Sequence, residues 1–184
     1  MLNQSHTHPF LLGADIFDKE MSDLRKKRWE MAFSKESEEN QEDSAKVNNM
    51  RATVVIEHII QASDVCHTMQ HWHIYRKWNK SLFHELLLAH RQGRFGADPC
   101  NFWYKGELDF FKNYIIPLAK KLKDCKVFGV SSAECLNYAT RNHDEWEVYG
   151  QGIVEEMKIE FNEIYSDGKL MGMTIDEMED GLES

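Results

Sequence analysis

This 184-residue sequence offers little for disulfide or thiolate chemistry. Its four cysteines, Cys66, Cys100, Cys125 and Cys135, show no CxxC or other metal-ligand spacing, and each lies in or beside an apolar segment. Reduced thiols packed as small apolar groups are expected. No apolar run approaches the roughly 18 residues of a membrane helix. The opening MLNQSHTHPF lacks the hydrophobic centre of a secretion signal. These absences argue for a cytoplasmic chain with no membrane segment. Strict alternation of apolar and polar residues never persists, so strand is not expected. There is no HExxH, no phosphate-cradling glycine loop, no dinucleotide fingerprint and no serine-nucleophile motif. Basic surplus is missing too: 31 acidic residues against 22 lysines and arginines leave a net charge of −9, which argues against nucleic acid as a partner.

The composition that remains, 42% hydrophobic and 29% charged, is ordinary for one compact domain with a real core. The acidity is uneven. From Glu155 to the end, ten acidic residues face only Lys158 and Lys169, so the preceding body is close to neutral. Residues 1–9 are expected to be disordered. Residues 10–152 form the folded part and contain a solvated loop at 35–48, where Val47 is the one aliphatic side chain. Residues 153–184 form an acidic tail with one more amphipathic helix (Ile153, Met157, Phe161) and then disorder.

Helical periodicity runs through the body. A first helix is expected from Pro9 to about Phe33, a second from Arg51 to Asp64, a third from His73 to His90 and a fourth over 103–122. Pro117 should kink the fourth, because it removes an amide donor. A fifth helix should begin near Ser131 and Ser132, whose hydroxyls with Glu134 resemble a capping arrangement. The β-branched second helix must be held by burial rather than by propensity.

The chain is organised around residues 60–88, IIQASDVCHTMQHWHIYRKWNKSLFHELL. Asp64 closes an apolar helix there. A carboxylate in that position calls either for local backbone donors or for a positive partner such as a metal ion or an Arg. His67, His71 and His73 follow, without the glutamate of a zinc helix and without an obvious third ligand. Tyr75, Trp78, Leu82 and Leu86 then recur on one helical face, which serves a core as readily as a pocket wall.

Asp64, Tyr75 eleven residues on, Trp78 three further, then Leu82 and Leu86 resemble the second half of a class I cyclic nucleotide phosphodiesterase catalytic domain. Two more segments keep the order: Phe110, Phe111 and Tyr114 before Pro117-Leu118, and Gly13-Ala14-Asp15-Ile16 where the family has Ala-Thr-Asp-Met. The resemblance implies an all-α, HD-type multi-helix domain, here without its N-terminal helices. The implied reaction is hydrolysis of cAMP or cGMP to the 5′-monophosphate with two divalent ions (Zn, Mg or Mn). Asp64 falls on the last of four metal ligands, and the other three have no counterpart in this sequence. Asp15 matches an aspartate near the metals that is not itself a ligand. Glu107 stands where the family reads the purine with a glutamine, and Phe110 where a phenylalanine stacks on it. His67, Tyr75, Trp78, Asn79, Leu82 and Ile16 fall on pocket positions. With one ligand of four, the chain is expected to bear no catalytic residue and to be silent unless the missing half or another chain completes it. The alternative is a degenerate helical interaction module.

Overall fold

The computed structural model describes residues 19–33, 44–126 and 128–165. Within them the chain is all-α, with six helices joined by short 3₁₀ turns and no strand. They are α1 (Lys19–Phe33), α2 (Ser44–Asp64), α3 (Trp72–Arg91), α4 (Trp103–Phe110), α5 (Ile116–Asp124) and α6 (Glu134–Tyr165). Asp15 and Ile16, the disordered N-terminus expected at 1–9 and the end of the acidic tail lie outside the described residues.

Two expectations change, and the structure shows how the helix accommodates Pro117. The stretch expected as solvated loop is helical from Ser44 onward. Val47 and Met50 are half-buried and Val54 is buried, so the apolar face of α2 extends a turn and a half beyond Arg51 while its polar residues stay in water. Arg51 Nε also donates to Ala32 O at 2.7 Å, tying this part of α2 to the end of α1. The second change concerns the boundary at 152. Helix α6 passes through it unbroken, and Ile153, Val154, Met157 and Phe161 are buried in the main core, so 153–165 belong to the body. The irregularity expected at Pro117 takes the form of a π turn just before it. Residues 103–124 form one continuous helical run in which Phe111–Ile115 make a π turn, and the Ile116 amide reaches back five residues to Phe111 O. This widened turn sets Pro117 in the first turn of α5, where a missing N–H costs little.

The end of α3 shows why QGRFG is needed there. Gly93, at φ +73°, donates to His90 O, and Arg94 donates to Ala89 O at 2.8 Å. This is a Schellman closure, which places a left-handed residue directly after the helix. Asp98 then caps the next turn by accepting from the Cys100 amide at 2.9 Å. Before α6, the Ser131 hydroxyl donates to Glu134 Oε1 at 3.3 Å, at the end where capping was expected.

The core lies between α3, α4, α5 and the long α6. Tyr75, Phe83, Trp103, Phe111, Ile115, Leu122, Trp146, Met157 and Phe161 are each at most 1% exposed. Burial of such side chains stabilises by roughly 1.5–3 kcal/mol each before entropy is charged against it. Two polar groups fix α6 in place. Asn142 Nδ2 donates to Thr68 O and Gln70 O at 2.9 and 2.8 Å, joining α6 to the turn between α2 and α3. His84 Nε2 lies 2.9 Å from Met157 O. A carbonyl only accepts, so Nε2 carries the proton.

Candidate functional site

The site residues are positioned by the turn from α2 into α3 and by the start of α4. Asp64 ends α2 and is exposed. A 3₁₀ turn, Cys66–Met69, redirects the chain and buries Thr68 and Met69. His67 is half-buried, with its ring 5.9 Å from that of Trp78. Trp78 itself is 58% exposed, an unusual setting for so large an apolar ring. Leu82, on the same helix, is half-buried against the core. His71 and His73 stack at 5.8 Å, and His71 Nε2 lies 3.0 Å from the Tyr138 hydroxyl.

One turn into α3, Tyr75 points inward. It is 1% exposed and donates to Glu107 Oε2 at 2.7 Å. The same hydroxyl accepts from Asn79 Nδ2 at 3.3 Å, and Asn79 Oδ1 accepts from Trp103 Nε1 at 3.2 Å. The indole fixes the direction of this chain, since Trp103 only donates. Asn79 must then turn its oxygen to Trp103 and its amino group to Tyr75, which leaves the Tyr75 proton for Glu107. The relay is buried from end to end, with Asn79 4% and Glu107 3% exposed. Burial, followed by the Glu107 carboxylate, holds the Tyr75 hydroxyl well above its ordinary pKa. Trp103 was not singled out from the sequence. Its spacing marked it only as the start of a helix, and its donor role needs Asn79 brought within reach from 24 residues away.

Phe110 follows Glu107 by one turn on α4 and is 8% exposed. Its ring stacks on Tyr114 at 5.6 Å with the planes 12° apart. Tyr114 in turn registers Asp64. Its hydroxyl is pushed up to about 12, first by burial, with Asp64 adding to the rise and Arg25 opposing it. Phe110 and Tyr114 thus pair on one helix with Asp64 near enough to act on the Tyr114 hydroxyl, while Tyr75 meets the neighbouring Phe111 edge-on at 5.2 Å. A separate open groove of about 830 Å³ runs between α5 and α6, beside Ile116, Lys120, Arg141 and Tyr149. None of the described site residues named from the sequence lines it.

Metal coordination fits poorly. Among the described residues, the one group of His, Cys, Asp and Glu close enough to share an ion is His143, Asp144 and Glu147 on α6, and Asp64 is not in it. A lone exposed carboxylate does not assemble a binuclear site, because hard divalent ions need most of their six or so positions filled by fixed donors or ordered waters. His67, His71 and His73 do not form such a group either.

Comparison with known proteins adds one finding. The family model for 3′5′-cyclic nucleotide phosphodiesterase matches residues 15–128, well over half of the chain. No curated protein and no solved structure matches.

Proposed function

Because the chain belongs to the 3′5′-cyclic nucleotide phosphodiesterase family, we propose that it forms the base-reading side of a domain that hydrolyses cAMP or cGMP to the 5′-monophosphate. The observation that carries this is the contact of Tyr75 with Glu107 at 2.7 Å. Two positions matched separately to the family's nucleotide pocket, 32 residues apart, meet in one buried hydrogen bond. Phe110 supplies the stacking ring, and His67, Trp78, Asn79 and Leu82 the wall, with Ile16 a further pocket-lining position by resemblance. Asp64 is the phosphate-side ligand, and Asp15 the supporting acidic residue that the resemblance implies. The family's two divalent ions need three further ligands, supplied by the missing N-terminal half or by another chain.

Glu107 bears on the choice of base. Ionised Glu only accepts, whereas the family's glutamine both donates and accepts. An acceptor meets the ring N–H and amino group of guanine but not the mixed edge of adenine, so cGMP is the favoured substrate of the completed domain. The chain acts in the cytoplasm on a diffusible cyclic nucleotide.

The test is direct. With Mg²⁺ or Mn²⁺ present in excess, the purified chain hydrolyses neither cAMP nor cGMP. It still binds cGMP more tightly than cAMP, and Glu107→Gln narrows that preference. Metal-dependent turnover abolished by Asp64→Ala would overturn the silence of the chain. Equal binding of both nucleotides, unchanged by Glu107→Gln, would overturn the role of Glu107. A second reading, a helical interaction module without catalysis, draws on the exposure of Trp78, Ile56 and Ile60. Absence of any nucleotide binding would favour it.

A further inference from the structure

Helix α1 is fastened to the body where it meets α2 and α5. Arg28 Nη1 pairs with Glu57 Oε1 at 2.7 Å. The Trp29 ring lies 5.1 Å from the His58 ring and 5.5 Å from Lys121 Nζ. Between them sits His58, 1% exposed. Its Nδ1 lies 2.6 Å from Val54 O, and a carbonyl only accepts. Nδ1 therefore carries the proton of the neutral ring, and Nε2 is a bare acceptor. That Nε2 is buried without a hydrogen-bond partner, as are Arg28 Nε and Glu57 Oε2 in the adjoining ion pair.

The charges around the imidazole come from all three helices. Arg25 faces it from α1, Lys121 from α5 and Glu57 from α2, the last already engaged by Arg28. A proton arriving at Nε2 would be desolvated, would find no acceptor at that nitrogen, and would sit close to the Lys121 ammonium. Burial, first, and then Lys121 and Arg25 hold the ring below its ordinary pKa, against the opposing pull of Val54 O and Glu57.

We propose that His58 is a proton-operated latch for α1: the neutral ring lets α1 dock on α2 and α5, and the protonated ring releases it. The direction follows from linkage. A histidine held neutral in the docked state contributes stability above the undocked value near 6.5, and that contribution is lost as pH falls below it.

The experiment is amide hydrogen exchange on the full chain, with each rate divided by its intrinsic chemical rate at that pH. Between about pH 7.5 and about pH 5.5, protection of amides in 19–33 should fall by up to about tenfold, the ceiling for one group whose free value is near 6.5. Amides in the centres of α3 and α6 should keep their protection over the same range. His58→Gln should flatten the response of α1, and Lys121→Gln should shrink it, because the proton then meets one cation fewer. His84→Gln serves as the control and should leave the response intact. The latch is overturned if α1 keeps its protection at low pH, if it opens only together with α3 and α6, or if the response persists in His58→Gln. Should His58→Gln fail to fold, an undiminished response in Lys121→Gln overturns the latch equally.

Discussion

Two glycines on α6, two residues apart, should respond to alanine with opposite signs. Both sit in the middle of a 32-residue helix, where Gly→Ala gains roughly 0.5–1 kcal/mol of helix propensity. At Gly152 a Cβ meets nothing within 4 Å, so Gly152→Ala should collect that gain in full. At Gly150 a Cβ falls 2.9 Å from Trp146 Cε2, 2.9 Å from Tyr104 Cδ2 and 3.0 Å from Trp146 Cδ2, closer than carbon atoms pack. Neither ring can step aside cheaply. Trp146 is 0% exposed and its Nε1 donates to Tyr104 O at 3.1 Å, while the Tyr104 hydroxyl donates to Glu147 O at 3.1 Å. Overpacking of this kind costs about 1–3 kcal/mol. Gly150→Ala should therefore lose up to about 2.5 kcal/mol net, and the two variants should differ by the overpacking cost itself, about 1–3 kcal/mol. Urea unfolding followed by far-UV circular dichroism reads the difference as a shift in midpoint at unchanged slope. In a thermal scan it corresponds to about 2–12 °C, at about 2–4 °C per kcal/mol for a chain of this size. If Gly150→Ala matches or exceeds Gly152→Ala, the close approach of α6 to Tyr104 is wrong, and the packing of α4 against α6 with it.

Removing the Tyr75 hydroxyl with Tyr75→Phe takes a donor from a buried carboxylate. It should cost about 1.5–3 kcal/mol in urea unfolding, and a loss under about 0.5 kcal/mol would refute the relay. His84 is buried with its pKa lowered, mainly by burial, so the folded state resists its protonation. Its contribution is complete above about pH 6.5 and declines below it; His84→Gln should flatten that part of the midpoint-against-pH curve, and an unchanged slope would count against it. The thiols should separate by setting. Exposed Cys66 should be alkylated by iodoacetamide at neutral pH well before Cys100, whose thiol is pushed up to about 11 by burial and by Asp98, an order peptide mass spectrometry can check.

The helical character of this chain was determined locally. Periodic apolar residues at steps of three and four marked α3 and the run from 103, and the glycine in QGRFG ended α3 because a left-handed residue was needed there. The family was equally legible, since it rests on ordered short motifs around Asp64, Tyr75 and Phe110 that survive without knowledge of the fold. Other features depended on distant parts of the chain. Polar residues 44–50 looked like loop because their apolar partners were too few to form a local pattern; only packing beside α1 and the Arg51 bond to Ala32 O made them helix. Residues 153–165 read as the start of an acidic tail because charge is a local count. Their burial was completed by α3, whose His84 reaches Met157 O across 73 residues of sequence and packs against the Phe161 ring.

The candidate site divides in the same way. The family resemblance named Asp64, Tyr75, Asn79, Glu107 and Phe110, and the local spacing alone assigned them no role. Neither gave a sign that Trp103 sets the direction of the relay or that Glu107 is buried rather than solvated. A hydrogen bond between residues 32 apart leaves no periodic trace in a sequence. Which donor meets which acceptor was decided only when α3 and α4 packed together, because buried polar groups must find partners and the tertiary fold alone sets which are within reach.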